Sequence, residues 1–232
     1  MRLAYQPPYD WAAMLGFLSA RAITGLETVV AGVYRRSISV AGRHGWVSVE
    51  PGVGDWLEVT VDFPEPAAMP EIERRLRRMF DLDAVPEVIN AQLSQDPLMA
   101  QLAAARPGLR LPGTWDGLEL AIRAVLGQQI TVVAAIRLAS KLVAQYGLAL
   151  ASPHAGITHL FPTPEVLAAA DLATLGMPKA RGRTLSGVAQ ALLDDPQLFE
   201  PKASLQDGVA RLVALPGIGE WTAQYIAMRQ LR

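Results

Sequence analysis

Apolar and polar residues alternate in three stretches of the first third of the chain, and this period-2 pattern predicts β-strands. The stretches are VYRRSISV at 33–40, GWVSVE at 45–50 and WLEVTVDF at 56–63, separated by the turn sequences AGRHG and PGVGD. Short turns between consecutive strands predict an antiparallel meander. Helices are predicted on either side of it, WAAMLGFLSARA behind a capping Asp10 and MPEIERRLRRMFDL at 69–82.

The second predicted helix carries a run of arginines: Arg74, Arg75, Arg77 and Arg78. Such a run is typical of a solvated helix face packed on a sheet, and a phosphate-binding patch is the less favoured alternative.

From Val85 onward the pattern predicts helices and no strand. The helices are interrupted by RPGLRLPG, QQIT, SPHAG, FPTP, GMP, DDP and LPGIG. Asp116 and Glu119 form a capping box at the start of GLELAIRAVLG. Ala, Leu, Val and Ile dominate these helices, which indicates a buried bundle. We therefore predict an α+β protein, with a mixed α/β domain at 1–106 and a helical domain at 107–232, divided at RPGLRLPG.

Composition narrows the possible chemistry. Hydrophobic residues make up 51% of the 232 positions and charged residues 19%, which is typical of a folded globular protein. Cysteine is absent, which excludes disulfides, cysteine-ligated zinc, iron–sulfur clusters and thiol nucleophiles. No apolar run of transmembrane length and no secretory h-region is found, so a cytoplasmic protein without a membrane partner is expected. The net charge is −1, but residues 107–232 carry 11 Lys/Arg against 9 Asp/Glu, which allows a local phosphate-contacting surface.

The stretch LPGIG at 215–219 separates two amphipathic segments, and we predict a helix-hairpin-helix over 204–231. Pro216 ends the first helix, while Gly217 and Gly219 permit positive φ and leave the backbone bare. The row of N–H groups then lies at the positive end of the second helix, where a phosphate can bind without any side chain. The alternative is an ordinary tight connection between antiparallel helices.

Several motifs together resemble the bacterial 3-methyladenine DNA glycosylase II family of the helix-hairpin-helix glycosylase superfamily. They are QPPYDWAAMLGFLSARAITGLETV, ARPGLRLPG, AIRAVLGQQITV, FPTPEVLAAAD, LGMPKARG and LPGIGxxTA, and they cover essentially the whole chain. The resemblance implies an N-terminal antiparallel sheet with helices, followed by an all-α glycosylase bundle. It further implies a monomer that acts in base-excision repair of double-stranded DNA. The enzyme would flip out N-alkylated purines, such as 3-methyladenine and 7-methylguanine, and release them by hydrolysis.

The resemblance also implies roles for individual residues. Trp221 and Tyr225 lie four apart on one helical face, so their rings share a surface. By resemblance they line an aromatic pocket for the cationic base together with Phe17 and Gln128, although each aromatic taken singly is typical of core packing. Gln129 would fill the gap left by the flipped base, and Thr131 caps the next helix. Gly217 and Gly219 would bind DNA phosphate, and a Na⁺ or K⁺ ion would be held by the main-chain carbonyls of Val213, Leu215 and Ile218.

Two positions bear on catalysis. Bifunctional members of the superfamily carry a Schiff-base lysine where this chain has Trp221, so a monofunctional hydrolase is expected. The family's catalytic Asp follows the second hairpin helix, and no residue up to Arg232 matches it. We therefore expect a bundle that is truncated at its C-terminal end and a 232-residue chain that is inactive by itself. The alternative is a non-catalytic helix-hairpin-helix fragment that binds DNA without cutting it.

Overall fold

The alternating stretches form the strands that they predict. In the computed structural model, which describes residues 1–231, five strands form one sheet in the order β1-β5-β4-β3-β2. The strands are β1 (Arg2–Ala4), β2 (Glu27–Val30), β3 (Val33–Val40), β4 (Arg43–Pro51) and β5 (Trp56–Asp62). The predicted meander is confirmed, because β3 pairs antiparallel with β4 and β4 with β5.

The helices of the first part of the chain follow the same pattern. They are α1 (Trp11–Ser19), α2 (Met69–Phe80), α3 (Pro86–Leu93) and α4 (Pro97–Ala105). Asp10 caps α1 through its side chain, as expected. The core contains the buried stripe Ile72, Leu76, Met79 and Phe80 of α2 and the buried strand residues Tyr34, Ile38, Val47, Val49, Leu57 and Val59.

The arginine run of α2 is largely paired with carboxylates. Glu71 accepts hydrogen bonds from Arg74 and Arg75, with N–O distances of 2.7 and 2.6 Å, and Arg77 pairs with Asp83. The hydrogen bond from Arg74, followed by that from Arg75, lowers the pKa of Glu71 to about 2 against the opposing effect of its partial burial. The pairing favours a solvated, ion-paired helix face over a phosphate patch.

The chain divides into two compact units. The first contains residues 1–20 and 28–113, and the second contains 21–27 and the described residues from 114 onward. The passage from Gly113 to Thr114 falls at the end of the RPGLRLPG stretch.

The second unit is mainly a helical bundle. Its helices are α5 (Gly117–Leu126), α6 (Val132–Tyr146), α7 (Pro164–Ala169), α8 (Lys179–Asp194), α9 (Leu205–Val213) and α10 (Glu220–Gln230). Helix α5 is buried along almost its whole length, and its apolar residues join one core cluster with residues of α6, α8, α9 and α10. This burial explains why α5 is so rich in Ala, Leu, Val and Ile.

The prediction of no strand after Val85 is wrong at one place. Residues Ala149–His154 and Ile157–His159 form two short antiparallel strands, β6 and β7. Ala155 and Gly156 form their turn with φ angles of 48° and 87°, a combination that suits a tight hairpin. The strands are short and irregular in register, so the alternation that marks a strand is too brief to be recognised in the sequence.

Candidate nucleic-acid interface

Helices α9 and α10 form the predicted helix-hairpin-helix. Ser204 caps α9 by accepting a hydrogen bond from the Asp207 N–H at 3.1 Å, and a tight turn closes where the Ile218 N–H donates to the Leu215 carbonyl at 3.0 Å. Helix α10 begins after Gly219, which has no side chain to cap it. The first N–H groups of any helix lack an intrahelical acceptor. Here they follow a solvent-exposed glycine, so an anion can approach them.

The two hairpin glycines have different roles. Gly217 adopts φ +86°, and a Cβ added there would lie 2.1 Å from Thr184 Oγ1 of α8. Gly219 has φ −84° and nothing within 4 Å of an added Cβ. Glycine is therefore required at 217 by both conformation and packing, whereas Gly219 only leaves the start of α10 uncovered.

Gln128 connects the α5–α6 corner to the hairpin. Its side-chain Nε2 donates to the Gly217 carbonyl at 3.1 Å and to Thr222 Oγ1 at 3.2 Å. Its own carbonyl accepts a hydrogen bond from Arg181 Nη2 at 2.6 Å. The structure thus brings Gln128 together with the hairpin and adds a contact from α8 that the sequence did not indicate, while its part in the base pocket stays a prediction.

Gln129, the predicted wedge, is exposed at the corner and has φ +58°. A residue other than glycine in this left-handed region costs about 1–2 kcal/mol. A hydrogen bond to a charged group contributes about 1.5–3 kcal/mol, so the bond from Arg181 to the preceding carbonyl is large enough to hold this conformation. Thr131 caps α6 by accepting from the Ala134 N–H, as predicted.

Trp221 and Tyr225 stack on one face of α10. Their ring centroids are 5.5 Å apart, and the ring planes differ by 6°. Trp221 is 72% exposed, which is unusual for so large an apolar ring and leaves its surface free for a ligand. Among the described residues Trp221 is therefore not packed in the core, while Tyr225 is half-buried.

Arg229 supports Tyr225 from within the unit. Its Nη1 donates to the Tyr225 hydroxyl at 2.5 Å, and its guanidinium carbon lies 5.3 Å from the centre of that ring. Burial, followed by the nearby charges of Arg123 and Arg21, lowers the pKa of Arg229, while Tyr225 opposes that shift. The guanidinium fixes the phenol that lies behind Trp221.

The remaining predicted site residues are Phe17 and the three residues predicted to bind a cation. Phe17 lies half-buried on α1 of the first unit, and its part in the base pocket stays a prediction. Val213 ends α9, Leu215 begins the turn and Ile218 is buried beneath it. The Leu215 carbonyl already accepts one hydrogen bond, which leaves one lone pair for a cation.

A buried ion network anchors α5, which leads into the Gln128 corner. Arg123 Nη2 lies 2.7 Å from Glu119 and 2.6 Å from Glu27, and its Nη1 donates to the Arg21 carbonyl at 2.8 Å. The carboxylates are nearly fully buried, at 2% exposure for Glu119 and 7% for Glu27. This network fixes both α5 and the segment 21–27 in the second unit.

Among residues 1–231, no group of three or more His, Cys, Asp or Glu side chains is arranged to hold a metal ion. Over the same residues, no helix combines the length and the apolar character that crossing a bilayer requires.

Comparison with protein families gives two matches. Residues 1–116 match the AlkA N-terminal domain, and residues 122–226 match the HhH-GPD superfamily base excision DNA repair protein family. The chain is 38% identical over 231 residues to DNA-3-methyladenine glycosylase 2 of Escherichia coli, covering 98% of this chain and 79% of that protein. It is 39% identical over its full length to a probable bifunctional transcriptional activator/DNA repair enzyme AlkA of Mycobacterium tuberculosis, and it spans about half (46%) of that protein.

Solved structures show the same fold. The 3-methyladenine DNA-glycosylase from Archaeoglobus fulgidus superposes with a TM-score of 0.84 at 23% identity, over 97% of this chain and 77% of that one. An 8-oxoguanine glycosylase/lyase of Clostridium acetobutylicum, solved with double-stranded DNA, gives a TM-score of 0.64 at 14% identity, over 90% and 79% of the two chains. The two domain matches and the E. coli relative show that the chain belongs to the HhH-GPD superfamily of base excision DNA repair proteins, in the branch that carries an AlkA N-terminal domain.

Proposed function

We propose that this chain recognises alkylated purines in double-stranded DNA for a monofunctional DNA glycosylase of base-excision repair. One observation carries the proposal. The uncapped start of α10 and the exposed, stacked ring of Trp221 lie within a single helical turn, so a phosphate site and an aromatic surface are adjacent. Family membership and the DNA-bound relative support DNA as the partner.

The aromatic surface suits a cationic base. Alkylation at N3 or N7 of a purine makes the ring positive, and a positive ring is attracted to the face of Trp221 by stacking and a cation–π interaction. The same positive charge makes the base a good leaving group, so little acid assistance is needed. The bound class would therefore be 3-methyladenine and 7-methylguanine, with Gln128 at the pocket edge and Gln129 filling the vacated position in the duplex.

The expected reaction is hydrolysis without strand cleavage. Trp221 occupies the position at which a lyase would hold its Schiff-base amine. Hydrolysis requires a carboxylate against the sugar cation. Several carboxylates of the second unit are already engaged: Glu27 and Glu119 with Arg123, Asp116 and Asp171 as helix caps, and Asp207 with Ser204. The whole reaction is accordingly proposed for a longer chain, as in the relatives. A monomeric, cytoplasmic enzyme is part of the same proposal.

A monovalent cation is proposed at the hairpin turn. The Val213 carbonyl lies at the end of α9, where helix carbonyls lack intrahelical donors, and the Leu215 and Ile218 carbonyls belong to the turn before α10. Oxygen ligands of this kind suit Na⁺ or K⁺, which would place positive charge near the phosphate. Replacing Na⁺ and K⁺ by a bulky organic cation at constant ionic strength should weaken DNA binding. Unchanged binding would argue against the ion.

The test of the proposed function is binding of the 232-residue chain to labelled duplexes that differ only by one 7-methylguanine. We expect tighter binding to the alkylated duplex and a loss of affinity with salt, because phosphate contacts release counterions. Gly217→Val should abolish most binding to both duplexes, since a β-branched residue cannot adopt φ +86° or fit beside Thr184. Equal affinity of a folded Gly217→Val variant would show that the hairpin is only a connector. Equal affinity of the parent chain for both duplexes would show that it does not recognise the alkylated base.

A further inference from the structure

We propose that Arg181 is a positioning residue that holds the Gln129 wedge in its working conformation and couples it to the phosphate-binding hairpin. This inference rests on the proposed function, because it assigns Gln129 the task of entering the duplex. Its structural basis is the three hydrogen bonds around Gln128, all of them within the second unit.

The peptide between Gln128 and Gln129 can adopt two orientations. A flip of this peptide changes ψ of Gln128 and φ of Gln129 by about 180°, which would move Gln129 from φ +58° to the ordinary negative region. A free chain would prefer the flipped form, since glutamine is disfavoured at positive φ. The flip would also turn the Gln128 carbonyl away from Arg181.

Arg181 therefore selects the orientation that the chain alone would avoid. Its Nη2 reaches the Gln128 carbonyl at 2.6 Å, a short, charge-assisted hydrogen bond. The guanidinium is half-buried, so water competes less for this bond than at an open surface. With the carbonyl fixed, the Gln129 side chain stays exposed at the corner between α5 and α6.

The same helix also contacts the hairpin. Thr184, one turn after Arg181 on α8, packs against Gly217, and Gln128 Nε2 donates to the Gly217 carbonyl. The corner, the start of α8 and the hairpin turn thus form one connected group. If the hairpin shifts when it binds a phosphate, Gln128 would pass that shift on to Gln129. The position of the wedge in the duplex would then depend on the position of the bound phosphate.

The test compares Arg181→Met with Arg183→Met, which removes the same charge two residues away on the exposed surface of α8. Affinity is measured for an abasic-site duplex, which has room for a wedge, and for the intact duplex. Arg181→Met should lower the preference for the abasic duplex by about tenfold, the effect of losing one charge-assisted hydrogen bond. Arg183→Met should leave that preference unchanged, and Arg181→Lys should restore part of it. An equal loss on both duplexes with a shallower salt dependence would make Arg181 a simple phosphate contact and overturn the inference.

A second measurement does not need DNA. In the free protein, the three-bond coupling between HN and Hα of Gln129 reports its φ angle, and Arg181→Met should shift this coupling toward the value of extended backbone, because the released peptide samples both orientations. The shift should be smaller in a Gln129→Asn background, since asparagine tolerates the left-handed region. An unchanged coupling in Arg181→Met would overturn the inference even if the protein binds DNA. Failure of the parent protein to bind any duplex would instead defeat the proposed function, and the coupling alone would then decide whether Arg181 holds the peptide.

Discussion

At the scale of single residues, the solvent exposure of the Trp221 ring marks it as a surface for a ligand. Its ring is stacked on Tyr225 yet 72% exposed, so little of the folding free energy depends on its outer face. We expect Trp221→Ala to weaken binding of a 7-methylguanine duplex relative to the guanine duplex by about 1–2 kcal/mol, or roughly 5–30-fold. The matched control is Met228→Ala, an exposed apolar residue on the same helix that should leave the preference unchanged. Equal losses on both duplexes would mean that Trp221 contacts DNA without reading the base charge.

The two hairpin glycines provide a second residue-scale test. Gly217→Ala should destabilise the fold by about 1–3 kcal/mol, because alanine is strained at φ +86° and its Cβ meets Thr184. Gly219→Ala should cost less, about 0.5–1 kcal/mol, because position 219 has an ordinary φ and open space and alanine loses only the glycine's better fit at an N-cap. Denaturant unfolding of the two variants measures the difference. Similar losses at both positions would contradict the distinct roles assigned here.

Sequence reasoning identifies some of these residues and misses others for a physical reason. The Trp221–Tyr225 stack follows from i, i+4 spacing on one helix, and the bare backbone follows from the two glycines. Arg181 lies 53 positions from Gln128 in the chain, so no periodicity connects them. The positive φ of Gln129 is equally hidden, because glutamine carries no turn preference and tertiary contacts decide its conformation.

At the scale of elements, α2 shows how ion pairs on a helix face respond to pH. The pKa of Glu71 is lowered from 4.5 to about 2 by Arg74 and Arg75, so the folded state binds this proton less readily than the unfolded chain. Its stabilising contribution is therefore complete above about pH 4.5 and is lost as the pH falls toward 2. Glu71→Gln should lower the unfolding free energy at pH 7. The difference in unfolding free energy between the parent and this variant should decrease progressively as the pH falls from 4.5 to 3.

The control for this prediction is Glu73→Gln, a carboxylate two residues along the same helix. It removes the same charge, and its side chain makes no hydrogen bond within residues 1–231. Unfolding by urea at several pH values measures both variants. A Glu71→Gln deficit that stays constant from pH 7 to 3, or that Glu73→Gln reproduces, would show that the Arg74 and Arg75 pairs do not stabilise α2.

Prediction of whole elements succeeds where the pattern is long and fails where it is short. Strands β3 to β5 contain seven to nine residues of clear alternation, and α2 has a continuous apolar stripe. Strands β6 and β7 are short and are supported by a bridge between Gly25 and Ile157, so contacts distant in the sequence determine them. The hairpin of α9 and α10 is intermediate in predictability. Its turn sequence LPGIG is characteristic, but its helices are short.

At the scale of the whole molecule, binding and chemistry are assigned to different parts of the chain. The hairpin, the Gln128 corner and the aromatic surface lie within residues 128–225 of the second unit. By the family resemblance, the carboxylate that would stabilise the sugar cation is expected to follow the second hairpin helix. The E. coli relative is longer, since this chain matches 79% of it, and its unmatched residues allow a direct comparison.

We therefore expect the 232-residue chain to bind alkylated duplex but to release no methylpurine, whereas a chain extended by the residues of the E. coli relative that it does not match should release it. An aromatic surface can hold a cationic base, but the sugar cation left behind needs a preorganised negative charge shielded from water. Release of labelled 3-methyladenine by the two proteins is the measurement, with Gly217→Val in the extended chain as the binding-deficient control. Borohydride should trap no covalent adduct, because no amine occupies the position of Trp221. Release by the 232-residue chain would show that its own carboxylates suffice, and a trapped adduct would overturn the monofunctional mechanism.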